Sequence, residues 1–393
     1  MIQLTLALNS PLIISGNRND NLLESIDYIP GTVLRGALAA SFLKSEKGGD
    51  ENLFKNIFLS GKVHFGNSYY GTENVSNLPA TARSCKSFSG FKDPNAEINN
   101  PKHGVLDILI RSYVFQKNLR NNIENSTESN IIDECLECGS SMIPFLGVYA
   151  KVGMDERYFR FENQKNIITR TSINENTQTA IPGALFSTEV IQPDNEYNYH
   201  GKIIVYDTSL EQQLIDLISN STFTIGGERT YGYGQVEVIE ARINTYPNSI
   251  EAKLVTFNDK LKEYLPDVGS QHFVVTLNSD TILVDRFLRF SSMLNEIILK
   301  DYFHTELNFK LVKSFCTTKI VQGWSNIHKL PKENDLAILK GGVFLFKTEI
   351  ETDPQILIEY LQEIESQGIG ERKTEGFGEV IICNPFHLEV DPI

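Results

Sequence analysis

The sequence lacks three features that would place it in a familiar class. No apolar run approaches the roughly 18 residues that a membrane-spanning helix needs, so we expect no membrane span. Residues 1–16 contain no basic leader and no small-residue cleavage site, and they predict a strand instead of a signal peptide. Five cysteines, an odd number in 393 residues, do not resemble a disulfide framework. These absences favour a reducing, cytoplasmic compartment.

Positive charge is also scarce. The chain has 36 Lys and Arg residues against 50 Asp and Glu residues, a formal net charge of −14. Non-specific binding of nucleic acid depends on a broad positive potential, which this composition excludes. Any nucleic-acid site must therefore be local. The acidity could equally indicate contact with basic partner subunits.

Two glycine-rich loops are the most informative pattern present. Residues 226–238 read GGERTYGYGQVEV and residues 368–382 read GIGERKTEGFGEVII, with Gly-aromatic-Gly cores 144 residues apart. Each loop follows an amphipathic helical stretch, residues 210–218 or 356–364, and precedes a strand-like run. A repeated helix, loop and strand unit indicates a duplicated domain.

The remaining periodicities support this duplication. The first half predicts strands at residues 2–8, 158–161 and 203–206, with a helix after Thr32 as N-cap. The second half predicts strands at 273–277, 315–321 and 342–346, and a helix over 286–299.

We therefore predict an α+β fold with two ferredoxin-like domains in tandem, residues 1–245 and 246–393. The first domain would carry a large, irregular insertion at about residues 45–155 that contains cysteine and histidine.

The loops themselves have two interpretations. Glycines permit positive φ angles and close approach of a ligand, and Arg229 or Arg372 could hold phosphate while Tyr231, Tyr233 or Phe377 stacks on bases. Alternatively, the glycines only form tight turns. A P-loop is excluded because no Gly-Lys-Ser/Thr ending is present, and a dinucleotide fingerprint is excluded because these loops follow helices and precede strands.

The predicted insertion contains a candidate metal site. Cys135 and Cys138 have the two-residue spacing of a zinc knuckle, and Cys85 with His103 could complete a tetrahedral Cys₃His site. We expect a structural zinc ion, the alternative being unrelated thiols. A redox motif is disfavoured because no thioredoxin-like βαβ pattern surrounds it.

Several of these motifs together resemble the CRISPR-associated RAMP superfamily. They are Tyr28-Ile29-Pro30-Gly31, Leu34-Arg35-Gly36-Ala37-Leu38, Arg170-Thr171-Ser172-Ile173 and the two glycine loops. The double-domain layout with its Cys/His insertion is most similar to the double-RAMP subunit of type III-D effector complexes. That subunit is related to those that hold the 5′ end of the guide RNA.

The resemblance implies a cytoplasmic RNA-binding subunit that grips the repeat-derived 5′ handle of the CRISPR guide RNA. Its implied partners are the large polymerase-like subunit and the backbone RAMP subunits. Carried over by motif, the candidate RNA contacts are Arg35, Gly36, Arg170, Gly226, Gly227, Arg229, Tyr231, Gly232, Tyr233, Gly234, Gly368, Gly370, Arg372, Lys373, Gly376 and Gly378. We expect the first loop to be the principal contact and the second to be a diverged copy that faces another subunit.

Some RAMP proteins cut RNA, so an endoribonuclease is the main alternative, and a protein-only scaffold is a third. Metal-independent cleavage needs an acid–base pair near the scissile phosphate. The seven histidines are scattered, and the acidic residues near the Ile-Pro-Gly segment are Asp20 and Asp27. Because Asp favours turns, we read Asp27 as part of the turn into the helix. We expect no intrinsic catalysis.

Overall fold

The computed structural model describes the chain apart from a few short segments. The undescribed residues are 20, 46–48, 93–100, 121–132, 154–156, 220, 245–248, 267–268, 326–328, 350 and 389–393. Parts of the predicted insertion and of the predicted boundary between the halves lie among them, as does Asp20.

The first half contains four α-helices and sixteen strands among its described residues. The helices are α1 Gly31–Lys44, α2 Glu51–Phe54, α3 Leu109–Arg120 and α4 Glu211–Ile218. The strands are β1 Ile2–Leu8, β2 Ser15–Asn19, β3 Leu22–Ser25, β4 Tyr28–Ile29, β5 Val63–Gly71, β6 Ser76–Asn77, β7 Ala82–Cys85, β8 Val105–Asp107, β9 Met142–Pro144, β10 Val148–Val152, β11 Arg157–Phe161, β12 Lys165–Ile173, β13 Ala180–Ile191, β14 Asn198–Val205, β15 Thr222–Thr224 and β16 Gln235–Ile243.

The second half is smaller. Its helices are α5 Ile250–Tyr264, α6 Glu296–Tyr302 and α7 Pro354–Gln367. Its strands are β17 His272–Leu277, β18 Leu283–Val284, β19 Phe290–Ser291, β20 Phe309–Phe315, β21 Thr318–Val321, β22 Trp324–Ser325, β23 Leu330–Pro331, β24 Asp335–Ile338, β25 Val343–Thr348 and β26 Val380–Ile382.

The main sheets of the two halves have the same connectivity. In the first half the order is β15-β16-β1-β14-β5-β4, and in the second it is β20-β25-β17-β26. When the four main strands of each half are numbered in chain order, their order across the sheet is fourth, first, third and second. In the first half these strands are β16, β1, β14 and β5, and in the second half they are β26, β17, β25 and β20. A helix follows the first strand (α1 or α6) and another follows the third (α4 or α7). The paired strands of both sheets run antiparallel.

One central strand lies inside the segment predicted as an irregular insertion. Strand β5 pairs with β14 along most of its length. Its sequence, VHFGNSYYG, breaks the simple apolar alternation, because Asn67, Ser68 and the tyrosines are buried polar residues that the pattern does not recognise as core. The main sheet therefore continues into residues 63–71.

Three local predictions were wrong. Residues 315–321 are not one strand, because β20 ends at Phe315 and β21 begins at Thr318. Residues 286–299 are not one helix: the hairpin β18–β19 occupies the first part, and α6 begins at Glu296. The Asp285 carboxylate accepts hydrogen bonds from the backbone amides of Phe287 and Arg289, which forms a turn that competes with a helix. Thr32 is not an N-cap either, because α1 begins at Gly31, whose amide donates to Asn67 Oδ1 at 2.9 Å.

Helix α3 joins the core of the other half. Although it falls within the predicted insertion of the first domain, its residues Leu109, Ile110, Tyr113 and Val114 are buried in the same hydrophobic cluster as β17, β25 and α7. The Tyr113 hydroxyl also lies 2.9 Å from Nε2 of the fully buried His272. The second core is thus completed by a segment from the first half of the chain.

Buried polar groups connect the halves along a seam centred on Asn278. The Tyr69 hydroxyl and the Asn77 side-chain amide donate to its carbonyl oxygen at 2.8 and 2.7 Å. Asn77 N also donates to Asn278 Oδ1 at 3.0 Å. Buried polar groups are stable only when paired, so this set fixes the two halves in one relative position.

Among the described helices, none is both long and apolar enough to cross a membrane.

The glycine at the start of α1 gives a test of the close packing around this helix end. A Cβ atom on Gly31 would lie 1.8 Å from the carbonyl oxygen of Phe65 and 3.0 Å from Cα of Gly376, whereas one on Gly36 would meet nothing within 4 Å. We expect Gly31→Ala to lower the free energy of unfolding by about 3 kcal/mol. Gly36→Ala, the matched control on the same helix, should raise it by roughly 0.5–1 kcal/mol. Urea denaturation followed by circular dichroism measures both, and equal stabilities would contradict the contact.

Candidate nucleic-acid interface and metal centre

The first glycine loop, residues 226–234, is shaped by backbone contacts. Gly234 has a φ angle of 75°, and a Cβ atom there would lie 1.9 Å from the carbonyl oxygen of Ile225. The Gly227 amide donates to the Ile13 carbonyl at 2.8 Å, and the Gly234 amide donates to the Pro11 carbonyl at 2.8 Å. These glycines therefore allow the loop to pack on the segment after β1, which supports the tight-turn interpretation for the backbone.

The second loop repeats this scheme with a constant offset of 144 residues. A Cβ atom on Gly378 would lie 2.0 Å from the carbonyl oxygen of Ile369. The positive-φ residue before the short 3₁₀ turn is Glu228 in the first loop and Arg372 in the second, with φ angles of 51° and 55°. The two Gly-Glu-Arg triplets are thus one position out of register. The two loops therefore have equal length.

An arginine and tyrosine cluster lies over the first loop. The Arg170 guanidinium, on β12, forms an ion pair with Glu228 and donates to the Tyr233 hydroxyl at 3.3 Å. It also lies 5.2 Å from the ring centroid of Tyr231, a cation–π distance. The hydrogen bond with Glu228 raises the pKa of Arg170 above its already high ordinary value. Three predicted residues from two distant segments, Arg170, Tyr231 and Tyr233, are therefore brought together, and Arg229 lies in the same loop.

Two members of this cluster are accessible to a ligand. The Tyr231 side chain is 74% exposed, so one ring face is free of core packing. Arg229 is exposed and has no ion-pair partner among the residues that the structure describes. The loop thus presents a guanidinium and an aromatic ring to solvent on an otherwise acidic protein.

The charged side chains of the second loop have internal partners instead. Arg372 forms ion pairs with Asp335 Oδ2 at 2.7 Å and with Glu375 Oε2 at 2.6 Å. Glu375 also lies 3.1 Å from Lys332 Nζ and 3.8 Å from Arg35 Nη1. Two predicted RNA contacts, Arg35 and Arg372, therefore converge on one carboxylate whose side chain is only 16% exposed.

The second loop also faces the first half of its own chain. A Cβ atom on Gly376 would lie 2.4 Å from Asn67 Oδ1 and 3.1 Å from the Gly31 amide nitrogen. Arg35 Nε additionally donates to the Phe58 carbonyl at 3.1 Å. The loop therefore holds the halves of this chain together, which accounts for its shape without another subunit.

The remaining predicted positions differ in how much space surrounds them. Gly36 is exposed on α1 with open space around its Cα atom. Gly232 has open space too, whereas Gly226, Gly368 and Gly370 each lie against a backbone carbonyl. Burial lowers the pKa of Lys373, whose ordinary value is 10.5.

The sequence interpretation missed the carboxylates. The pattern did not indicate that Glu228 pairs with Arg170. Nor did it indicate that Glu375 is the shared partner of three cations. The pairs of Arg170 with Glu228, and of Glu375 with Arg35 and Lys332, join segments far apart in sequence, so no local signal indicates them. Arg372 and Glu375 are only three residues apart.

The four predicted metal ligands lie together. Cys85 ends β7, His103 precedes β8, and Cys135 and Cys138 lie in a turn that Gly139 closes by donating its amide to the Cys135 carbonyl at 2.8 Å. The Sγ atoms of Cys85 and Cys138 are 3.5 Å apart, and His103 Nδ1 is 3.3 Å from Cys135 Sγ. All four donor atoms lie within 4.8 Å of one another.

This donor set fits a tetrahedral metal ion. Metal–sulfur and metal–nitrogen bonds of about 2.3 and 2.0 Å place neighbouring donors roughly 3.5–4 Å apart. Hydrogen bonds from the Ser140 hydroxyl and backbone amide lower the pKa of Cys138 to about 6, which favours the thiolate form that binds metal. Burial raises the pKa of Cys85. The cluster can therefore bind a metal ion.

Comparison with known families agrees with this geometry. A model of the RAMP superfamily matches residues 5–237, and a model of the CRISPR-associated protein Cas_Cmr3 matches residues 169–385, each more than half of the chain. The chain belongs to the RAMP superfamily and to its Cas_Cmr3 family. The two matches together cover both glycine loops of this RAMP protein. No curated protein matches it in sequence.

Several solved structures are similar to it over most of its length. A chain of the type III-B Cmr-β complex bound to cognate target RNA has 13% identity and a TM-score of 0.44, covering 96% of both chains. The same complex with target RNA and AMPPnP gives 12% identity and a TM-score of 0.43, covering 92% of both. A chain of the Csm3–Csm4 subcomplex of the type III-A interference complex gives 13% identity and a TM-score of 0.38, covering 88% of this chain and 92% of that one.

The shared carboxylate of the second loop gives a pH-dependent prediction. Although burial opposes ionisation, the hydrogen bond and charge of Arg372 with the charge of Lys332 lower the pKa of Glu375 below its ordinary value. Glu375 therefore stabilises the fold fully above the unfolded-state pKa of about 4.3. That contribution is lost as the pH falls through the lower folded-state pKa.

We accordingly expect Glu375→Gln to reduce the free energy of unfolding by about 1–3 kcal/mol at neutral pH. The difference from the unmodified chain should shrink as the pH falls below about 4. Denaturation curves at several pH values measure it, with the exposed Glu333→Gln as the matched control. A difference that stays constant down to acid pH would refute the ion-pair account.

Proposed function

We propose that this RAMP protein is a non-catalytic, RNA-binding structural subunit of a type III CRISPR effector complex, where it holds the repeat-derived 5′ handle of the guide RNA. The observation that supports this most strongly is the cluster of Arg170, Arg229, Tyr231 and Tyr233 over the first glycine loop. Membership of the Cas_Cmr3 family supports the CRISPR context. The type III-D subtype, and docking to the large polymerase-like subunit and backbone RAMP subunits, rest on the motif resemblance.

The first loop has the chemistry that single-stranded RNA requires. Exposed Tyr231 offers a ring on which a base can stack, and Arg229 offers a guanidinium for a backbone phosphate. Arg170 is held by Glu228, so a phosphate that binds Arg170 must compete with that carboxylate. Binding would therefore be local and set by a few side chains, as the net charge of −14 requires.

The fold proposed for this function is a pair of ferredoxin-like domains. The strand order shared by the two main sheets, and the equal placement of two helices in each, support a duplication. The repeated backbone scheme of the glycine loops supports it independently. In the proposed arrangement the first copy retains RNA binding, while the loop of the second copy serves the contact between domains.

The states of several histidines favour a non-catalytic role. Burial lowers the pKa of both His64 and His272 to about 4, too far from neutral pH for an efficient general acid. His387 is fully buried between Asp107 and Thr276, and His103 belongs to the metal cluster. Asp27 lies 2.6 Å from Lys165 Nζ in an ion pair. The alternative functions are an endoribonuclease and a protein-only scaffold, and the experiment below distinguishes them from the proposed function.

Co-expression with a repeat array and partner subunits, followed by sequencing of the copurified RNA, tests the proposal. We expect guide RNA whose 5′ ends carry repeat-derived sequence. Absence of RNA from the assembled complex would leave the scaffold alternative. Processed ends that disappear in an Asp27→Ala or Asp20→Ala variant would indicate a nuclease.

We predict that substitutions at the two members of the Arg170–Glu228 ion pair change RNA affinity in opposite directions. Arg170→Ala should weaken binding of a repeat-derived RNA about tenfold, because it removes a phosphate ligand and a ring contact. Glu228→Gln should strengthen binding severalfold, because Arg170 loses its competing carboxylate. Fluorescence anisotropy at fixed salt measures both, and Lys151→Ala in β10 is a control. Weaker binding in both variants would mean that the pair supports only the fold.

We also propose that the Cys85, His103, Cys135 and Cys138 cluster binds a structural zinc ion. Zinc would fasten the end of β7 to the turn at residues 135–138, in a region where short strands give little cooperative stability. The purified protein should contain about one zinc ion per chain by elemental analysis. Cys135→Ser with Cys138→Ser should remove it and lower the melting temperature, whereas Cys316→Ser should change neither. A metal-free chain of unchanged stability would disprove the proposal.

A further inference from the structure

The hairpin β18–β19 presents aromatic and cationic side chains to solvent. Its connection reads Asp285-Arg286-Phe287-Leu288-Arg289 and leads into Phe290, and residues 286–290 are all exposed. The exposed fractions are 63% for Phe287 and 83% for Leu288. Two phenylalanines, a leucine and two arginines in sequence are an unusual surface for a chain of net charge −14. A surface of this composition typically contacts another molecule.

The turn is built to hold this shape. Asp285 Oδ1 accepts hydrogen bonds from the amides of Phe287 and Arg289 at 2.8 and 3.0 Å, and Oδ2 accepts from Arg289 Nε at 2.8 Å. Leu288 adopts a φ angle of 61°, a left-handed conformation that disfavours a residue with a branched side chain. Both carboxylate oxygens of Asp285 thus accept hydrogen bonds within the turn. Residues 285–290, the tip of the hairpin, therefore form an ordered turn with exposed side chains.

Both arginines lie against the same aromatic ring. The guanidinium carbons of Arg286 and Arg289 are 5.2 and 5.1 Å from the ring centroid of Phe287. Arg286 has no ion-pair partner among the described residues, so the tip carries one uncompensated positive charge. An aromatic ring bordered by guanidinium groups is the combination that binds single-stranded nucleic acid, by base stacking and by phosphate contact.

The hairpin is also anchored to the second glycine loop. The Glu371 amide donates to the Ile282 carbonyl at 2.9 Å, directly before β18. The Tyr302 hydroxyl joins the two segments, since it donates to Glu371 Oε1 at 3.1 Å and accepts from the Val284 amide at 3.1 Å. The second glycine loop, whose charged side chains pair within the chain, therefore holds the base of the β18–β19 hairpin in place.

We propose that residues 285–290 form a second RNA-binding element, which holds a single-stranded segment by stacking a base on Phe287 and pairing a phosphate with Arg286. The inference rests on the proposed RNA-binding function, which it extends to the second half of the chain. In that half the hairpin, instead of the glycine loop, contacts RNA. The unpaired guanidinium of Arg286 favours RNA over an apolar protein partner, because it can pair with a backbone phosphate.

Ultraviolet cross-linking and binding measurements on the full chain test this. The probe is a fluorescein-labelled oligouridylate that contains 4-thiouridine, and cross-linked peptides are identified by mass spectrometry. Phe287→Ala and Arg286→Ala should each weaken binding by roughly tenfold, while Phe287→Trp should retain it. Ile297→Ala, an equally exposed apolar residue on α6, should have no effect. A cross-link should map to residues 285–290.

The outcomes separate this inference from the proposed function. Unchanged affinity in Phe287→Ala, together with weaker binding in Tyr231→Ala, would overturn the hairpin element and keep the first loop. The reverse result would support the hairpin and remove the loop. If the full chain binds no probe, both proposals fail. If Phe287→Ala leaves RNA binding intact but prevents assembly with partner subunits, the tip is a protein contact and the inference is wrong.

Discussion

The architecture depends on one close backbone approach between the halves. Gly31, at the start of α1, and Gly376, in the second glycine loop, leave no room for a side chain, and the Asn67 side chain bridges them. Because these backbones touch, Arg35 and Arg372 come within reach of the same carboxylate, Glu375. The second loop is thereby committed to an internal contact, and its glycines are buried. The first loop packs on residues 11–13 of its own half, and Tyr231 and Arg229 in it are exposed.

The two glycine loops also show how a duplicated contact can diverge without losing its geometry. In the first half a left-handed Glu228 pairs with Arg170 on β12, and in the second a left-handed Arg372 pairs with Asp335 on β24. Both strands lie in the segment between the second and third long strands of their sheets. Equivalent loop positions therefore pair with strands of the same chain segment, and the charges of the two ion pairs are reversed. Such a reversal preserves the ion pair between the loop and the strand. It changes whether the loop or the strand carries the positive charge that could bind a phosphate.

Local patterns were sufficient for some elements and insufficient for others. β1, α4 and α7 were predicted because their apolar residues follow a simple period, and Cys135 and Cys138 indicated the metal cluster by spacing alone. β5 was missed because its buried residues include polar side chains that find partners across the seam. The hairpin at 285–290 was read as a helix because the spacing of Phe287, Leu288 and Leu294 suits a helix, while the Asp285 turn decides otherwise. The ion pairs of Arg35 with Glu375 and of Arg372 with Asp335 join distant residues that no local pattern connects.

The position of α3 has a consequence for how the protein is made. Leu109, Ile110, Tyr113 and Val114 emerge from the ribosome well before the strands and helices that bury them, since their core is formed largely by residues 250–388. Domains generally fold as units from the N-terminus during synthesis, but here the first segment cannot bury this apolar face by itself. The nascent chain must keep the helix from aggregating until the second core arrives. Translation speed and chaperone access, beyond thermodynamic stability, then set the yield of native protein.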